Sequence, residues 1–114
     1  MAAPETIRVL DLQARLAIGE AIQLVDVREV AEVELAQLPH AVIHLPLSES
    51  SVWMDTISEQ LDRDKPVAVF CHAGIRSWHF ACWLMEHQGF TNVWNVQGGI
   101  DAWSVEVDSA VPRY

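Results

Sequence analysis

The chain has 114 residues, of which 51% are hydrophobic, so it is long enough for one compact domain with its own core and too short for two. Its formal net charge is −9 at pH 7, with 16 acidic residues against seven Lys and Arg. Such a surface repels nucleic acids and anionic membranes, so we expect neither as a partner.

Three sequence features bear on the cellular compartment. Residues 1–5 lack the charged start and apolar stretch of a signal peptide, and no apolar run approaches the length of a membrane helix. Of the two cysteines, Cys71 is expected in a loop and Cys82 in the helix that follows it. Cys82 would lie about 9 Å along the helix axis at ~1.5 Å per residue, too far from Cys71 for a disulfide. We therefore expect a soluble cytoplasmic protein with reduced thiols.

The first half of the chain alternates strand and helix patterns. A short strand is predicted over residues 7–9, followed by a helix with Asp11 as its N-cap and Gly19 as its stop. Strand, helix and strand patterns follow over residues 22–27, 29–36 and 41–45. We expect Val30 and Val33 to face the core from the second helix.

The second half repeats the alternation. Ser50 or Ser51 is the predicted cap of a helix with one apolar face, formed by Trp53, Met54, Ile57 and Leu61. A strand over 67–70, a loop over 71–76, a helix to about His87, a strand over 91–96 and a short helix with Trp103 complete the chain. Alternating strands and helices indicate a parallel sheet covered on both faces, with ligands bound beyond the carboxyl ends of its strands.

The loop after the strand 67–70 is the best candidate for chemistry. Cys71 ends the apolar strand, Gly74 lies inside the loop, and Arg76 and Ser77 open the next helix. This layout surrounds a sulfur atom with backbone amides, a helix N-terminus and a guanidinium, all of which favour the nucleophilic thiolate. A cysteine by itself is more often a small buried hydrophobe, but the combination favours a reactive thiol.

The remaining site candidates surround this loop. The predicted substrate-binding cradle consists of the backbone of His72, Ala73, Gly74, Ile75 and Arg76. The Arg76 fork is expected to brace loop carbonyls or an anion. The His72 side chain either faces the mouth of the loop or is solvated. Asp26 and Arg28, at the end of another strand, either pair with each other or brace the loop, and we expect no catalytic role for them.

We predict neither a metal ion nor an organic cofactor. His40 and His44 have a four-residue spacing, but in a strand they would lie about 13 Å apart at ~3.3 Å per residue, too far to share a metal. Cys82 is expected in the core, and Trp78 is the tryptophan expected to line a pocket beside the loop.

Four segments, in chain order, resemble the signatures of the rhodanese-type sulfurtransferases, specifically the small single-domain form. They cover residues 24–29, 38–47, 71–77 and 96–103. The resemblance extends from about residue 7 to residue 103 of a predicted single domain, 1–114. It implies a three-layer α/β/α fold with a five-stranded parallel sheet in the order 1-5-4-2-3, and a persulfide formed on Cys71. One departure is Ala36-Gln37, where the family usually has Gly-His.

The resemblance implies transfer of sulfur from a small donor such as thiosulfate to cyanide in an assay, or to a small-molecule or protein thiol in the cell. Arg76 is the only fixed positive charge in the loop, which disfavours thiosulfate as the physiological donor. Two alternatives stay open: a phosphatase or arsenate reductase on the same fold, and a non-catalytic interaction module. Four residues separate Cys71 from Arg76, one fewer than in cysteine-dependent phosphatases, which favours sulfur as the bound group.

Overall fold

Five parallel strands form a single sheet in the order β1-β5-β4-β2-β3, as the resemblance implied. The computed structural model describes residues 3–114, so Met1 and Ala2 of the segment considered for a signal peptide lie outside the described residues. The strands are β1 (Glu5–Ile7), β2 (Gln23–Asp26), β3 (Ile43–His44), β4 (Val67–Phe70) and β5 (Val93–Val96).

Six α-helices connect the strands and cover the sheet. They are α1 (Val9–Ala17), α2 (Val30–Leu35), α3 (Ser50–Trp53), α4 (Ile57–Gln60), α5 (Ile75–His87) and α6 (Gly99–Glu106). Two 3₁₀ turns, Leu47–Glu49 and Met54–Thr56, flank α3. No helix within residues 3–114 is both long and apolar enough to cross a lipid bilayer.

Alternating side chains of the central strand divide the core into two halves. Val67 and Val69 of β4 pack with α3, α4 and α5 on one face of the sheet. Ala68 and Phe70 pack with α1 and α6 on the other face. Because all four residues of β4 are buried, this strand is apolar throughout, as a strand covered on both faces must be. The three-layer α/β/α prediction is therefore confirmed.

The position of β4 places the loop that follows it at the middle of one sheet edge. β4 pairs with β2 on one side and with β5 on the other, and all strands run in the same direction. The residues after β4 are therefore flanked by the ends of β2 and β5 and by the helices α5 and α6. Cys71 follows β4 directly, at the carboxyl edge where the sequence placed it.

Two predicted boundaries near the amino terminus are wrong. The first strand is Glu5–Ile7 and not residues 7–9, because the helix already begins at Val9. Helix α1 begins at Val9, after an extended Arg8, so Asp11 lies in its first turn and is not its N-cap. The helix starts early because Val9 and Leu12, three residues apart, both pack into the core from one helix face. The predicted stop at Gly19, which adopts a φ of +83°, is confirmed.

Helix α2 does not bury the valines that the sequence pattern suggested. Val30 is 50% exposed, and no residue of α2 is fully buried. Ala36 and Leu38, which follow the helix, enter the core instead. The helix is stabilised at its start by reciprocal capping between Glu29 and Glu32 and not by an apolar face.

The predicted helix carrying Trp53 is broken into short turns. Trp53, Ile57 and Leu61 are buried as expected, but Met54 is 40% exposed because a 3₁₀ turn separates α3 from α4. Glu49, not a serine, precedes the first of these helices. Cys82 is also less buried than expected, since it lies at an intermediate position on α5 rather than in the core.

Candidate active site

The sulfur of Cys71 lies inside a ring of hydrogen-bond donors. Cys71 is 1% exposed, and its Sγ accepts hydrogen bonds from the Gly74 amide at 3.1 Å and the Ser77 amide at 3.4 Å. The Ser77 hydroxyl lies 3.3 Å from the same sulfur. Both cysteines are unpaired thiols, in agreement with the expectation that they stay reduced.

Hydrogen bonds from neighbouring elements hold three carbonyls of the loop. The first turn of α6 donates the Ile100 amide to the Cys71 carbonyl at 3.0 Å and the Asp101 amide to the His72 carbonyl at 3.1 Å. The side chain of Asn95 donates to the Gly74 carbonyl at 3.0 Å. A peptide carbonyl and the amide that follows it point in opposite directions, so these contacts fix the peptide units of the His72, Ala73 and Ile75 amides and with them the course of the loop around the sulfur.

Two glycines make this close packing sterically accessible. Gly74 adopts a φ of +106°, which ends the loop and starts α5. Gly99 has a φ of +59°, and a β-carbon there would overlap the carbonyl oxygens of Cys71 and His72. Only a residue without a side chain allows the N-terminus of α6 to approach the loop so closely.

The surroundings of the two cysteines shift their pKa values in opposite directions. Burial raises the pKa of the Cys71 thiol, but hydrogen bonds from the Ser77 hydroxyl and from the Ser77, Gly74 and Ala73 amides outweigh it, so the pKa lies below its ordinary value. Partial burial, together with the nearby Glu86 carboxylate, raises the pKa of Cys82. Of the two thiols, Cys71 is therefore the better nucleophile near neutral pH.

The Arg76 guanidinium binds a carboxylate of the protein itself. Its two nitrogens contact the Glu32 oxygens at 2.6 and 2.9 Å, a bidentate ion pair that joins α5 to α2. The predicted fork geometry is present, and the anion that it binds is the Glu32 carboxylate. Glu32 raises the pKa of Arg76, and Arg76 lowers the pKa of Glu32 to about 2. The positive charge near Cys71 is therefore largely compensated.

Asp26 and Arg28 form a buried ion pair beneath the loop. The Arg28 guanidinium donates to both Asp26 oxygens, at 2.8 Å for the shortest contact, and both side chains are almost fully buried. Arg28 also donates to the carbonyls of Glu32 and Ala36 and to the Tyr114 hydroxyl. These contacts fix α2 and the segment after it, so the structure supports the pairing that the sequence left open.

The other predicted loop residues line the entrance. The His72 ring stacks on Tyr114 at 4.2 Å between centroids. Ala73 and Ile75 are exposed on the outer side of the loop. Trp78 lines a shallow cavity of about 230 Å³ together with Gly74, Ile75 and Asn95.

Comparison with known proteins identifies the family of this chain. The Rhodanese-like domain family matches residues 9–106 of the chain. The chain belongs to the rhodanese-like domain family. The fold and the order of its strands agree with this assignment.

Several relatives of this rhodanese-like domain have names that state a sulfur-transfer activity. A sulfurtransferase of Allochromatium vinosum is 36% identical over 82% of this chain and 81% of its own length. The thiosulfate sulfurtransferase GlpE of Vibrio cholerae is 38% identical over 82% of this chain and 85% of its own length. The Rhodanese-like/PpiC domain-containing protein 12, chloroplastic, of Arabidopsis thaliana is 42% identical over 81% of this chain, which spans 30% of that longer relative. The names of the first two relatives support sulfur transfer as the general activity.

Solved structures show the same architecture. A rhodanese-related protein from Thermoplasma volcanium has a TM-score of 0.68 at 30% identity, covering 90% of this chain and 93% of its own. A Rhodopseudomonas palustris protein, described as a possible tyrosine phosphatase, has a TM-score of 0.75 at 25% identity, covering 97% of this chain and 85% of its own. One fold therefore occurs in proteins linked to two kinds of chemistry.

Reading the sequence missed four residues that shape the site of this rhodanese-like domain. They are Glu32, Asn95, Gly99 and Tyr114. Glu32 lies in a short helix in which the sequence pattern singles out only the valines. Asn95 is a polar residue in an otherwise apolar strand, and this exception could have indicated its role. Gly99 falls within the segment 96–103 that resembles a family signature, but its contact with the loop was not predicted. Nothing in the sequence links Tyr114 to the loop.

We predict that Gly99→Ala destabilises the domain by roughly 3 kcal/mol, since the positive φ and the overlap with loop carbonyls both oppose a side chain. Gly19→Ala is the matched control, because Gly19 has a φ of +83° but no atom within 4 Å of an added β-carbon. It should cost only about 1 kcal/mol. Urea unfolding measures both, and equal losses would show that the contact with the loop is unimportant.

We predict that the two thiols titrate in opposite directions from free cysteine, whose pKa is about 8.5. Iodoacetamide alkylation against pH, in the Cys82→Ser and Cys71→Ser variants, isolates each thiol. The midpoint should lie below that of free cysteine for Cys71 and above it for Cys82. A Cys71 midpoint at or above that of free cysteine would contradict the conclusion that hydrogen bonds to its sulfur lower the pKa of Cys71.

We predict that the Glu32–Arg76 pair makes stability depend on pH in the acid range. The pKa of Glu32 is lowered from 4.5 to about 2, so its contribution is complete above pH 4.5 and is lost as the pH falls towards 2. Glu32→Gln should reduce the free energy of unfolding at pH 7 by about 1 kcal/mol, and the difference from wild type should vanish near pH 2.

Arg76→Lys serves as the control for this pair, since it keeps the charge and loses the fork. It should retain part of the stabilisation and the same direction of pH dependence. Urea unfolding over this pH range tests both variants. A difference between wild type and Glu32→Gln that stays constant from pH 7 to pH 2 would rule out the ion pair as its source.

Proposed function

We propose that the domain transfers sulfane sulfur through a persulfide on Cys71. In the first half-reaction the Cys71 thiolate attacks the outer sulfur of a donor such as thiosulfate. A sulfur–sulfur bond forms on Cys71, the sulfur–sulfur bond of the donor breaks, and sulfite leaves with the bonding electron pair. Relatives named sulfurtransferases support this chemistry.

One observation carries the proposal: several donors converge on a single sulfur atom within an anchored loop. The Gly74 and Ser77 amides already lie 3.1 and 3.4 Å from Sγ, and α6 and Asn95 hold the carbonyls of the same loop. Such preorganised donors stabilise negative charge without reorganising during the reaction. In the loaded state they would hold the anionic outer sulfur of the persulfide.

The second half-reaction removes that sulfur. A thiophilic acceptor, cyanide in an assay and a small-molecule or protein thiol in the cell, attacks the outer sulfur and regenerates the Cys71 thiolate. Formation of a covalent intermediate on the enzyme divides the transfer into two steps, which produces ping-pong kinetics. The proposed chemistry needs only the cysteine and its hydrogen-bond donors.

The compensated charge of Arg76 affects which sulfur donor the site favours. Thiosulfate is a dianion, while the chain has a net charge of −9 and the loop cation is bound to Glu32. Nothing in this arrangement attracts a dianion at a distance. We therefore propose thiosulfate as a competent donor in an assay, as the name of the Vibrio cholerae relative suggests, and a less charged sulfane-sulfur compound as the better one.

The phosphatase alternative has one point in its favour, the structural similarity to a possible tyrosine phosphatase. Against it, the short loop directs its amides onto one sulfur atom that is already buried. A phosphoryl group needs room and donors for three oxygen atoms, with each donor about 2.7–3.1 Å from the developing charge. The loop geometry therefore favours sulfur.

We predict that incubation with thiosulfate adds one sulfur atom to Cys71 and that cyanide removes it as thiocyanate. Intact-mass measurement follows the first step, and a colorimetric thiocyanate assay follows turnover. Cys71→Ser should abolish both, and Cys82→Ser should leave them nearly intact. Aryl phosphate hydrolysis should be negligible in the wild type.

Two results would overturn this function. Phosphatase activity that is lost in Cys71→Ser would favour the alternative chemistry. Absence of added mass from thiosulfate and from a low-molecular-weight persulfide alike would favour a non-catalytic interaction module.

A further inference from the structure

The side chain of Asn95 links two of the groups that surround the sulfur. Asn95 lies on β5, opposite Val69 of the central strand, and is 7% exposed. Its Nδ2 donates to the Gly74 carbonyl at 3.0 Å, and its Oδ1 accepts a hydrogen bond from the Ser77 hydroxyl at 2.6 Å. One buried amide therefore contacts both residues whose own amides bind Cys71.

Hydrogen-bond chemistry fixes the orientation of this amide. The Gly74 carbonyl can only accept, so the NH₂ group of Asn95 must face it. The opposite end is then Oδ1, to which Ser77 must donate. A hydroxyl has a single proton, so in this arrangement Ser77 offers a lone pair, not a proton, to the sulfur 3.3 Å away. That arrangement suits a protonated thiol, whose S–H can donate to the Ser77 oxygen.

Ionisation of Cys71 turns its sulfur from a possible hydrogen-bond donor into an acceptor only. A thiolate can only accept, and a hydrogen bond to the charged form stabilises it. The Ser77 proton then has two competing acceptors, the Asn95 oxygen and the Cys71 sulfur. With the proton on Asn95 the thiol is favoured, and with the proton turned to the sulfur the thiolate is favoured. The two states differ by rotation of one hydroxyl group.

We propose that Asn95 is a positioning residue that sets the reactivity of Cys71 by competing with its sulfur for the proton of Ser77. The inference concerns the proton on Cys71 and goes beyond the transfer reaction, because it applies whichever sulfur donor is used. Asn95 does not touch the sulfur and acts through Ser77.

The charged groups around the loop do not provide the same control. Each is held in its own ion pair, hydrogen bond or aromatic stack. These groups are Arg76 with Glu32 from α5 and α2, Arg28 with Asp26 and Tyr114 beneath the loop, Arg113 with Asp101 on α6, and His72 against Tyr114. Ser77 is the group whose hydrogen bond can change direction when Cys71 ionises.

The test is the pH dependence of Cys71 alkylation by iodoacetamide, in a Cys82→Ser background so that one thiol reports. Asn95→Leu removes the competing acceptor with little change in volume, so Ser77 can donate to the thiolate. The alkylation midpoint should fall by about half a pH unit. A purely structural role for Asn95 predicts the opposite, since a loosened loop would weaken the amide contacts and raise the midpoint.

Ser77→Ala provides the matched control. It should raise the midpoint, because the thiolate loses a donor, and adding Asn95→Leu to it should produce no fall. A rise or no change in Asn95→Leu alone, or a fall that persists without Ser77, would overturn the proposal.

A measurement on the unsubstituted side chain decides the matter if Asn95→Leu does not fold. The side-chain ¹⁵N resonance of Asn95 should shift with the same midpoint as Cys71 alkylation, as its oxygen loses the Ser77 proton. Asn92, which is exposed and precedes β5, is the internal control and should not follow this midpoint. The Asn95 shift should be largely lost in Ser77→Ala. A constant Asn95 resonance, or the same shift in Ser77→Ala, would refute the competition for the proton.

Discussion

The outward anchoring of the loop carbonyls fixes the loop that surrounds Cys71. The first turn of α6 binds two of them, and the Asn95 amide binds a third. Once those carbonyls are fixed, the loop keeps its course around the sulfur, which accepts hydrogen bonds from the Gly74 and Ser77 amides. The depressed pKa of Cys71, the need for glycine at position 99 and the narrowness of the cradle all follow from this constraint.

Neutral dipoles, not free charges, stabilise the anionic sulfur. Arg28 and Arg76 are each bound to a carboxylate, Asp26 and Glu32, so the cations nearest the loop are used to hold its framework. Buried dipoles are screened by salt far less than exposed charges are. The reactivity of Cys71 should accordingly be insensitive to ionic strength, in contrast to sites that attract their anions with open basic patches.

The parts of the structure that depend on local pattern could be predicted from the sequence. The buried strand β4, the loop after it and the helix α5 were located because an apolar run, a glycine and a helix start occur in succession. The predicted start of α1 and the predicted burial of Val30 were wrong. Tertiary packing of Val9 and polar capping by Glu29 overrode the local sequence signals. Glu32 and Asn95 were missed because their partners lie 44 and 21 residues away in the chain.

The burial of Cys71 has a consequence for how other molecules distinguish the two states of the site. At 1% exposure the unloaded sulfur is almost hidden from solvent. A bound sulfur would extend the side chain by one sulfur–sulfur bond of about 2 Å. The outermost atom of the loaded side chain would then be the one that must leave. The exposure of the Cys71 side chain would then depend on whether sulfur is bound. An acceptor could reach the outer sulfur of the loaded site, but it would find almost no exposed sulfur in the unloaded one.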